Sequence, residues 1–416
     1  MRSNPSKRSA TGGSLSRRSA TAASVVAATA LLAACSAAGT AGSDDAEGDG
    51  SAAVKVGLVH STSGPLADYG KQYKAGFEAG LDYATGGTGK VDGHPIEVIQ
   101  RDDASDAAKS VSEAKDLIGQ GVRIIAGTTD SGAALQVAPL AAQNKVLYIN
   151  GPAATDTVTG VNEYTFRSGR QSYQDILTAG SLLGGAKGKK VTVLAQDSTF
   201  GKANVAAVKA VLGEQGAKVG SVLAPPSAND LTPFARQVRS GAPDLVFVAW
   251  AGASAPALWT ALNQQDVLNS SKVVTGLAGT ASYPIFGKAG SKISFLAHYF
   301  PGAGGGNEAE TAMLKGISKA GGRPDLFSPD GFTAAQMIVE AVRSGSATDT
   351  SAMVKALEGW SFDGVKGRTQ VRAEDHALLQ PMFTAKLAGT GKQAEPELLD
   401  TLPMDAVTPP VAKPAG

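Results

Sequence analysis

The side chains that carry out covalent or metal chemistry are few and widely spaced in this sequence. Four histidines occur, and their spacing is not that of metal ligands; they are His60, His94, His298 and His376. The one cysteine, Cys35, stands near the N-terminus, so the chain beyond it has no disulfide, no thiolate metal site and no cysteine nucleophile. Because no Gly-x-Ser-x-Gly elbow occurs either, we expect neither an enzyme nor a bound cofactor.

Two glycine-containing stretches come close to nucleotide-binding loops, but each lacks a required glycine. After Gly87-Thr88-Gly89, Asp92 stands where the last glycine of the dinucleotide motif belongs. Leu183 stands where a P-loop centred on Gly188-Lys189 needs its first glycine. The sequence therefore offers no phosphate-binding loop.

Residues 1–34 have the composition of a signal peptide. Basic residues, ending at Arg17-Arg18, precede an apolar run from Ala20 to Ala34. A span of the bilayer takes about 20 residues, so this run is too short for one but suits a signal-peptide core. The run closes with Leu32-Ala33-Ala34-Cys35, which resembles the lipobox of bacterial lipoproteins, whose cysteine is acylated. We therefore expect Cys35 to anchor an exported protein to the outer face of the cell membrane. An ordinary cleaved signal with a chance cysteine is the alternative, and twin-arginine or general secretion remains open.

Residues 35–53 are small, polar and acidic with no apolar period, which predicts a flexible tether. Residues 405–416 are proline-rich, and we expect a disordered tail there. Without the five basic residues of the signal peptide, 33 basic and 37 acidic residues remain. This mildly acidic balance argues against nucleic acid as a partner.

From residue 54 to residue 300, short apolar runs rich in β-branched residues alternate with amphipathic helical patterns. Such alternation predicts parallel, doubly wound α/β sheets, and two series of it predict two sheets. The predicted strands are Val54–His60, Ile96–Arg101, Arg123–Gly127, Val146–Asn150, Val191–Ala195, Val219–Leu223, Leu245–Trp250, Lys272–Thr275 and Ile293–His298.

The break between the two series falls near residues 164–168. We expect one Rossmann-like lobe from residues 54–168 with 301–361, and a second from residues 169–300 with 362–404. The last third supplies helical patterns but few strands. Ligands of open α/β sheets bind at the carboxyl ends of the strands, so the strand exits are the candidate site.

Several short stretches, by their order and spacing, resemble the branched-chain amino-acid-binding family of ABC-transporter solute receptors. The similarity covers about Val54 to Leu387. It implies a type I periplasmic-binding-protein (Venus-flytrap) fold, in which two lobes joined by a three-segment hinge close on a ligand. It also implies a monomer that works with permease and ATPase subunits. The stretches are Val54–Leu58, Ser63–Gly70, Arg101–Asp106, Ile125–Gly127, Pro152–Thr155 and Phe200-Gly201.

The resemblance carries particular ligand contacts onto this sequence. In the family a serine at the start of a helix holds the ligand carboxylate, and Ser131 occupies that place before the predicted helix Ala133–Asn144. Free backbone N–H groups and the helix dipole favour an anion there, although a plain helix N-cap is the alternative. Ala153 and Thr155 match further ligand contacts, with an ordinary loop as the alternative.

Three aromatic residues are candidates for the walls of the cleft. Tyr69 and Phe200 match aromatics that line it from opposite lobes, and Trp250 stands at a strand exit that faces it. For Tyr69 and Trp250, a place in the hydrophobic core is the alternative.

The sequence also departs from the resembled family. In the family an acidic residue pairs with the ligand ammonium, and the matching position here is at or near Leu277. The family's nearby aromatic residue corresponds to Ala251. A buried ammonium without an anionic partner costs several kcal/mol. Either Asp130 takes over that role or the ligand is not an α-amino acid. Arg170, just past the expected hinge, is either an extra carboxylate clamp or a solvated hinge residue.

Together these features predict an exported receptor that binds a small amino acid or carboxylate and delivers it to an ABC importer. An exported enzyme of unknown reaction and the ligand-sensing domain of a receptor are the alternatives. The solute is open: branched-chain amino acids are the family default, and aromatic or aliphatic carboxylates and amides are equally compatible with the missing acid.

Overall fold

The computed structural model describes residues 51–389 and 391–412. The predicted signal peptide, Cys35 and most of the predicted tether lie outside these residues. The first third forms β1 (Val54–His60), α1 (Ala67–Ala84), β2 (Lys90–Val91), β3 (His94–Asp102), α2 (Ala107–Gly119), β4 (Ile124–Gly127), α3 (Ser131–Gln143), β5 (Leu147–Asn150) and β6 (Thr165–Arg167).

The second third forms α4 (Ser172–Ser181), β7 (Lys190–Gln196), α5 (Thr199–Val208), β8 (Lys218–Ala224), α6 (Thr232–Ser240), β9 (Leu245–Ala249), α7 (Ala255–Gln264), α8 (Val267–Ser270), β10 (Lys272–Gly276), α9 (Tyr283–Phe286) and β11 (Ile293–Ala297). The last third forms α10 (Glu308–Lys319), α11 (Ser328–Glu340), α12 (Thr350–Leu357), β12 (Ser361–Gly364), β13 (Gly367–Val371), β14 (Leu378–Leu379), β15 (Met382–Ala388) and β16 (Glu395–Leu402). The nine predicted strands are all present, with ends shifted by at most two residues.

The first sheet has the strand order β2-β3-β1-β4-β5-β6. Its strands are parallel except for the β2–β3 hairpin. Strands β4 and β5 are buried along their whole length because helices cover both faces, which explains their uninterrupted apolar sequences. The chain order reverses between β3-β1 and β4-β5, so a crevice forms where β1 and β4 end side by side.

The second sheet has the order β16-β15-β11-β10-β9-β7-β8. Strands β7 to β11 are parallel, whereas β15 and β16 run antiparallel at one side. Here the reversal falls between β7 and β9, and their carboxyl ends face the same cleft as those of the first sheet. The cleft is therefore lined by the two places, one in each sheet, where the strand order reverses.

The last third departs from the sequence expectation of few strands, since it contributes five. The hairpin strands β12 and β13, with β14, form a small antiparallel sheet. Its Phe362, Val371 and Leu378 share one buried cluster with Val54 and Phe77 of the first lobe. The predicted boundary, which gave residues 362–404 to the second lobe, is therefore too early, and the chain crosses back only between β14 and β15.

The predicted disordered tail is wrong for residues 405–412. Residues Met404–Val407 form a short 3-10 helix, and the Val407 side chain is fully buried. Beyond it, the Arg372 guanidinium donates a hydrogen bond to the Pro409 carbonyl at 2.7 Å, and the Ala412 N–H donates to Asp375 at 2.8 Å. One buried valine and a few backbone hydrogen bonds hold this segment, and composition does not reveal either.

Close contact between α1 and α11 holds these two helices in a fixed position beside the cleft. The two helices cross at glycines, where the backbones approach within reach of each other. A Cβ on Gly76 would lie 1.8 Å from the Ser328 carbonyl oxygen, and one on Gly331 would lie 1.9 Å from that of Tyr73. The loop that leads into α11 thereby takes a fixed position on the cleft wall.

We expect Gly331→Ala to destabilise the protein by more than about 2 kcal/mol, because the new methyl group forces the two helices apart. Urea unfolding of the purified protein measures the free energy of unfolding. Gly119→Ala is the matched control, since a Cβ there meets nothing within 4 Å and should leave stability unchanged or raise it by up to about 1 kcal/mol. Equal stability of the two variants would contradict the close helix crossing.

Candidate functional site

A cavity of about 310 Å³ lies between the carboxyl ends of the two sheets. Its volume is at the lower end of the roughly 300–1,000 Å³ typical of small-molecule sites. Six of the eight predicted ligand residues line it: Tyr69, Asp130, Ser131, Arg170, Phe200 and Trp250. The strand exits of both lobes therefore converge on one enclosed space.

The N-terminus of α3 forms one end of the cavity. The Asp130 carboxylate caps the helix, with its Oδ1 accepting a hydrogen bond from the Ala133 N–H at 2.9 Å. Burial raises the pKa of Asp130 above its usual range, an effect that the helix N–H groups oppose. Ser131 is the first helical residue and is nearly buried, and within the described chain its hydroxyl makes no hydrogen bond. The end of the helix thus presents the Ser131 hydroxyl to the cavity, while the N–H groups of Gly132 and Ala133 are directed at the Asp130 carboxylate.

Aromatic side chains make up much of the remaining wall. Tyr69 packs on Phe327 with ring centroids 4.6 Å apart. The Trp250 indole N–H donates a hydrogen bond to the Ser254 hydroxyl at 3.0 Å, which fixes the ring at the edge of the second lobe. Other rings on the wall are Phe247, Trp259 and Phe286. A flat apolar ligand would be enclosed by rings from both lobes.

The two residues predicted after β5, Ala153 and Thr155, do not line the cavity. Each is only 1% exposed and points into the protein, whereas their neighbours Pro152 and Ala154 face the cavity. In an extended segment successive side chains point to opposite sides, so a one-residue difference in register exchanges the two sets. The predicted contact through the Thr155 hydroxyl therefore does not fit this structure, while the predicted backbone contact at Ala153 stays a prediction.

Arg167, whose role was not predicted, holds the loop after β5 in place. Its guanidinium is 1% exposed and donates hydrogen bonds to the carbonyls of Ala153 and Arg170 at 2.7 Å and of Thr155 at 3.0 Å. Burial lowers its pKa to about 10, while the nearby Asp156 raises it. One buried cation therefore ties the loop after β5 to the first connection between the lobes.

Arg170 is buried, not solvated, which excludes the hinge-surface interpretation. It is 5% exposed, and its Nη1 donates to the Pro152 carbonyl at 2.9 Å. Its Nε lies 3.4 Å from Asp175 Oδ2, and its guanidinium stands 5.6 Å from the centre of the Phe327 ring. Arg170 is the one Arg or Lys side chain on the cavity wall within the described residues.

Leu277 and Ala251, where the resembled family has an acid and an aromatic, both line the cavity. The two positions therefore face the cavity as expected, but neither has the acidic side chain that would pair with a ligand ammonium. Two carboxylates reach the wall, and both are engaged: Asp130 caps α3, and Asp175 faces Arg170.

Two further residues of the wall, His298 and Phe327, were not predicted. His298 follows β11 at a strand exit, a signal that the sequence contained, whereas Phe327 lies in the loop before α11 with no local pattern to mark it. His60, the histidine that ends β1, is buried and is absent from the wall.

The lobes contact each other directly across the cleft. The Asp325 carboxylate before α11 accepts hydrogen bonds from the Thr280 N–H of the second lobe, at 2.9 and 3.2 Å to its two oxygens. The Tyr69 hydroxyl accepts a longer one, 3.4 Å, from the Gly252 N–H.

Neither a metal-ligand cluster nor a membrane-spanning helix is found in the part of the chain that the structure describes. The cavity wall therefore has a hydrogen-bond donor at the start of α3, an arginine and a histidine in another region, and aromatic side chains between these two regions.

Comparison with known proteins agrees with this geometry. A family model described as "Periplasmic binding protein" matches residues 53–392, and the chain belongs to that family. A Leu/Ile/Val-binding protein homologue of Brucella melitensis is 24% identical over 79% of this chain and 90% of the relative.

Solved structures extend the comparison. An ABC-type branched-chain amino acid transporter protein of Rhodopseudomonas palustris is 32% identical, with a TM-score of 0.71 over 86% of this chain and 99% of that one. A solute-binding protein of the same species in complex with p-hydroxybenzoic acid is 24% identical, with a TM-score of 0.77 over 85% and 98%. The two-lobed type I fold and the role of an ABC-importer solute receptor, both predicted from sequence, are confirmed.

We expect Arg167→Lys to destabilise the protein by about 2–4 kcal/mol, because a lysine keeps the charge but cannot bridge three carbonyls. Chemical unfolding provides the measurement. Arg368→Lys serves as the control, since that side chain is 61% exposed and its nearest carboxylate is 3.7 Å away; a change under about 0.5 kcal/mol is expected there. A tolerated Arg167→Lys substitution would contradict the bridging role.

Proposed function

We propose that this protein captures a small aromatic carboxylate between its lobes and presents it, enclosed, to a permease–ATPase pair. The ligand's carboxylate rests on Ser131 and the N-terminal N–H groups of α3, and its ring lies among Tyr69, Phe200 and Trp250. Binding proceeds without chemical turnover, and the closed form is the one that the permease recognises.

The observation that carries this proposal is that both carboxylates on the described cavity wall already have a partner. An α-amino acid brings an ammonium group as well as a carboxylate, and a buried ammonium needs an anionic partner. Asp130 is committed to the helix cap and Asp175 to Arg170, while the position of the family's acid is Leu277. A carboxylate without an ammonium needs no such partner.

The aromatic nature of the ligand is supported by the wall. Rings contributed by both lobes enclose the cavity, and planar ligands pack favourably against such rings. The structural relative from R. palustris that binds p-hydroxybenzoic acid has this fold and gives the chemical precedent.

A branched-chain amino acid is the second candidate, and one observation favours it. The Asp130 carboxylate lines the cavity beside Ser131, so its second oxygen could pair with an ammonium group. Leu/Ile/Val-binding relatives agree with this alternative. The two candidates differ in whether leucine or benzoate binds.

Attachment to the membrane is the remaining part of the proposal. Cys35 receives the lipid after export, and the segment that follows holds the lobes near the permease at the outer face of the membrane. The small apolar residues before Cys35 and the chain's lack of any other cysteine support this assignment.

Calorimetric titration with benzoate, 4-hydroxybenzoate and L-leucine tests the ligand class. We expect the aromatic acids to bind and leucine to bind at least about a hundredfold more weakly, since an unpaired buried ammonium costs several kcal/mol. Ser131→Ala should weaken aromatic-acid binding about tenfold through the lost hydrogen bond, while the exposed Ser240→Ala leaves it unchanged. Tight leucine binding with no response to benzoate would establish the second candidate instead.

Cys35→Ser should release the exported protein from the membrane, because a serine cannot form the thioether to lipid. Fractionation of cells and labelling with a fatty-acid analogue measure attachment directly. Membrane retention and lipid labelling that persist in the Cys35→Ser variant would exclude this residue as the anchor.

A further inference from the structure

A second polar region of the cavity lies at the connections between the lobes. Arg170 follows β6 on the first connection, and His298 follows β11 on the second. Both line the cavity, and both contact the Phe327 ring, Arg170 at 5.6 Å and His298 edge-on at 5.2 Å between centroids. These two side chains therefore occupy one end of the site together.

This end is separate from the N-terminus of α3. In the first sheet β6 is two strands away from β4, after which α3 begins. Neighbouring strands lie about 4.8 Å apart, so the two exits are separated by roughly 10 Å. A ligand with polar groups at opposite ends of a ring matches that separation.

His298 has the chemistry of a ligand contact, and its Nδ1 has no hydrogen-bond partner among the described residues. It is 4% exposed, and its Nδ1 is buried without a hydrogen bond. Burial lowers its pKa well below the usual range, and the charges of Arg170 and Lys366 lower it further. The imidazole is therefore neutral, with one N–H donor and one acceptor nitrogen.

The charged side chains around Arg170 determine which ligand groups can bind at this end of the cavity. Arg170 faces Asp175, while Asp330 and Lys366 lie behind them, fully enclosed. Each of the four has a buried atom without a hydrogen bond: Asp175 Oδ1, Asp330 Oδ2, Lys366 Nζ and Arg170 Nε, the last of which lies 3.4 Å from Asp175 Oδ2. Burial raises the pKa of Asp330 to about 6 and lowers that of Lys366 to about 8. Of the two cations only Arg170 lines the cavity, so it is the positive charge that an oxygen acceptor of a ligand can approach.

We propose that Arg170 and His298 form a second ligand subsite, which selects carboxylates that carry another oxygen acceptor at the far end of the molecule. His298 donates a hydrogen bond to that oxygen, and Arg170 supplies the compensating charge. A phenolic hydroxyl and a second carboxylate in the para position are two groups of this kind. This inference rests on the proposed function and adds the selection of the distal group.

Calorimetry with three probes tests the subsite: benzoate, 4-hydroxybenzoate and benzene-1,4-dicarboxylate. The wild-type protein should bind one or both of the para-substituted acids at least tenfold more tightly than benzoate. His298→Phe, which keeps a ring against Phe327 but removes both nitrogens, should abolish that preference by weakening the para-substituted acids at least tenfold more than benzoate. His298→Gln should retain part of the preference, and unfolding curves verify that both variants fold.

Ser131→Ala provides the internal comparison, because it should weaken all three acids by a similar factor. Equal wild-type affinity for the three probes, or a His298→Phe variant with the preference intact, would overturn the subsite and leave the proposed function standing. If none of the three binds, the proposed function falls and the subsite with it.

Discussion

An anion enclosed between two sheets keeps its charge only where the wall replaces the water it loses, because removing an ion from water costs several kcal/mol or more. The N-terminus of α3, capped by Asp130 and beginning at Ser131, supplies such donors from the first lobe. Parallel strands make this possible, since every strand of a doubly wound sheet ends at the same edge and the following helix begins there. The placement of charge in the cleft thus follows from the topology of both sheets.

The same connections that join the lobes also carry polar residues of the site. Arg167 fixes the loop after β5 to the first connection through three carbonyls, and Arg170 extends from that connection into the cavity. Asp325 and Thr280 hold the lobes together from the opposite side of the cleft. Because cavity-lining residues such as Arg170 lie on the connections between the lobes, a ligand that contacts them would change the relative stability of the open and closed forms.

Much of this could be predicted from the sequence, and the failures have physical causes. The nine strands of the parallel sheets are continuous apolar runs, and Ser131 follows one of them at a helix start, so both were visible. The position of the Thr155 side chain away from the cavity was not visible, because the loop after β5 is held by Arg167, whose hydrogen bonds connect residues distant in sequence. The small sheet β12–β14 and the bound tail at Val407 depend on tertiary packing that no local pattern reveals. His298 and Phe327 meet only in the folded cleft.

Closure around a bound molecule is the central claim, and distance measurement between the lobes tests it most directly. In a Cys35→Ser background no other cysteine remains, so Lys115→Cys and Arg236→Cys place one fluorophore on an exposed helix of each lobe. Single-molecule energy transfer should show two populations in the free protein and a shift to the shorter distance as 4-hydroxybenzoate is added, with the midpoint of the shift at the calorimetric Kd. A distance distribution that stays unchanged while calorimetry shows the site saturated would contradict the account.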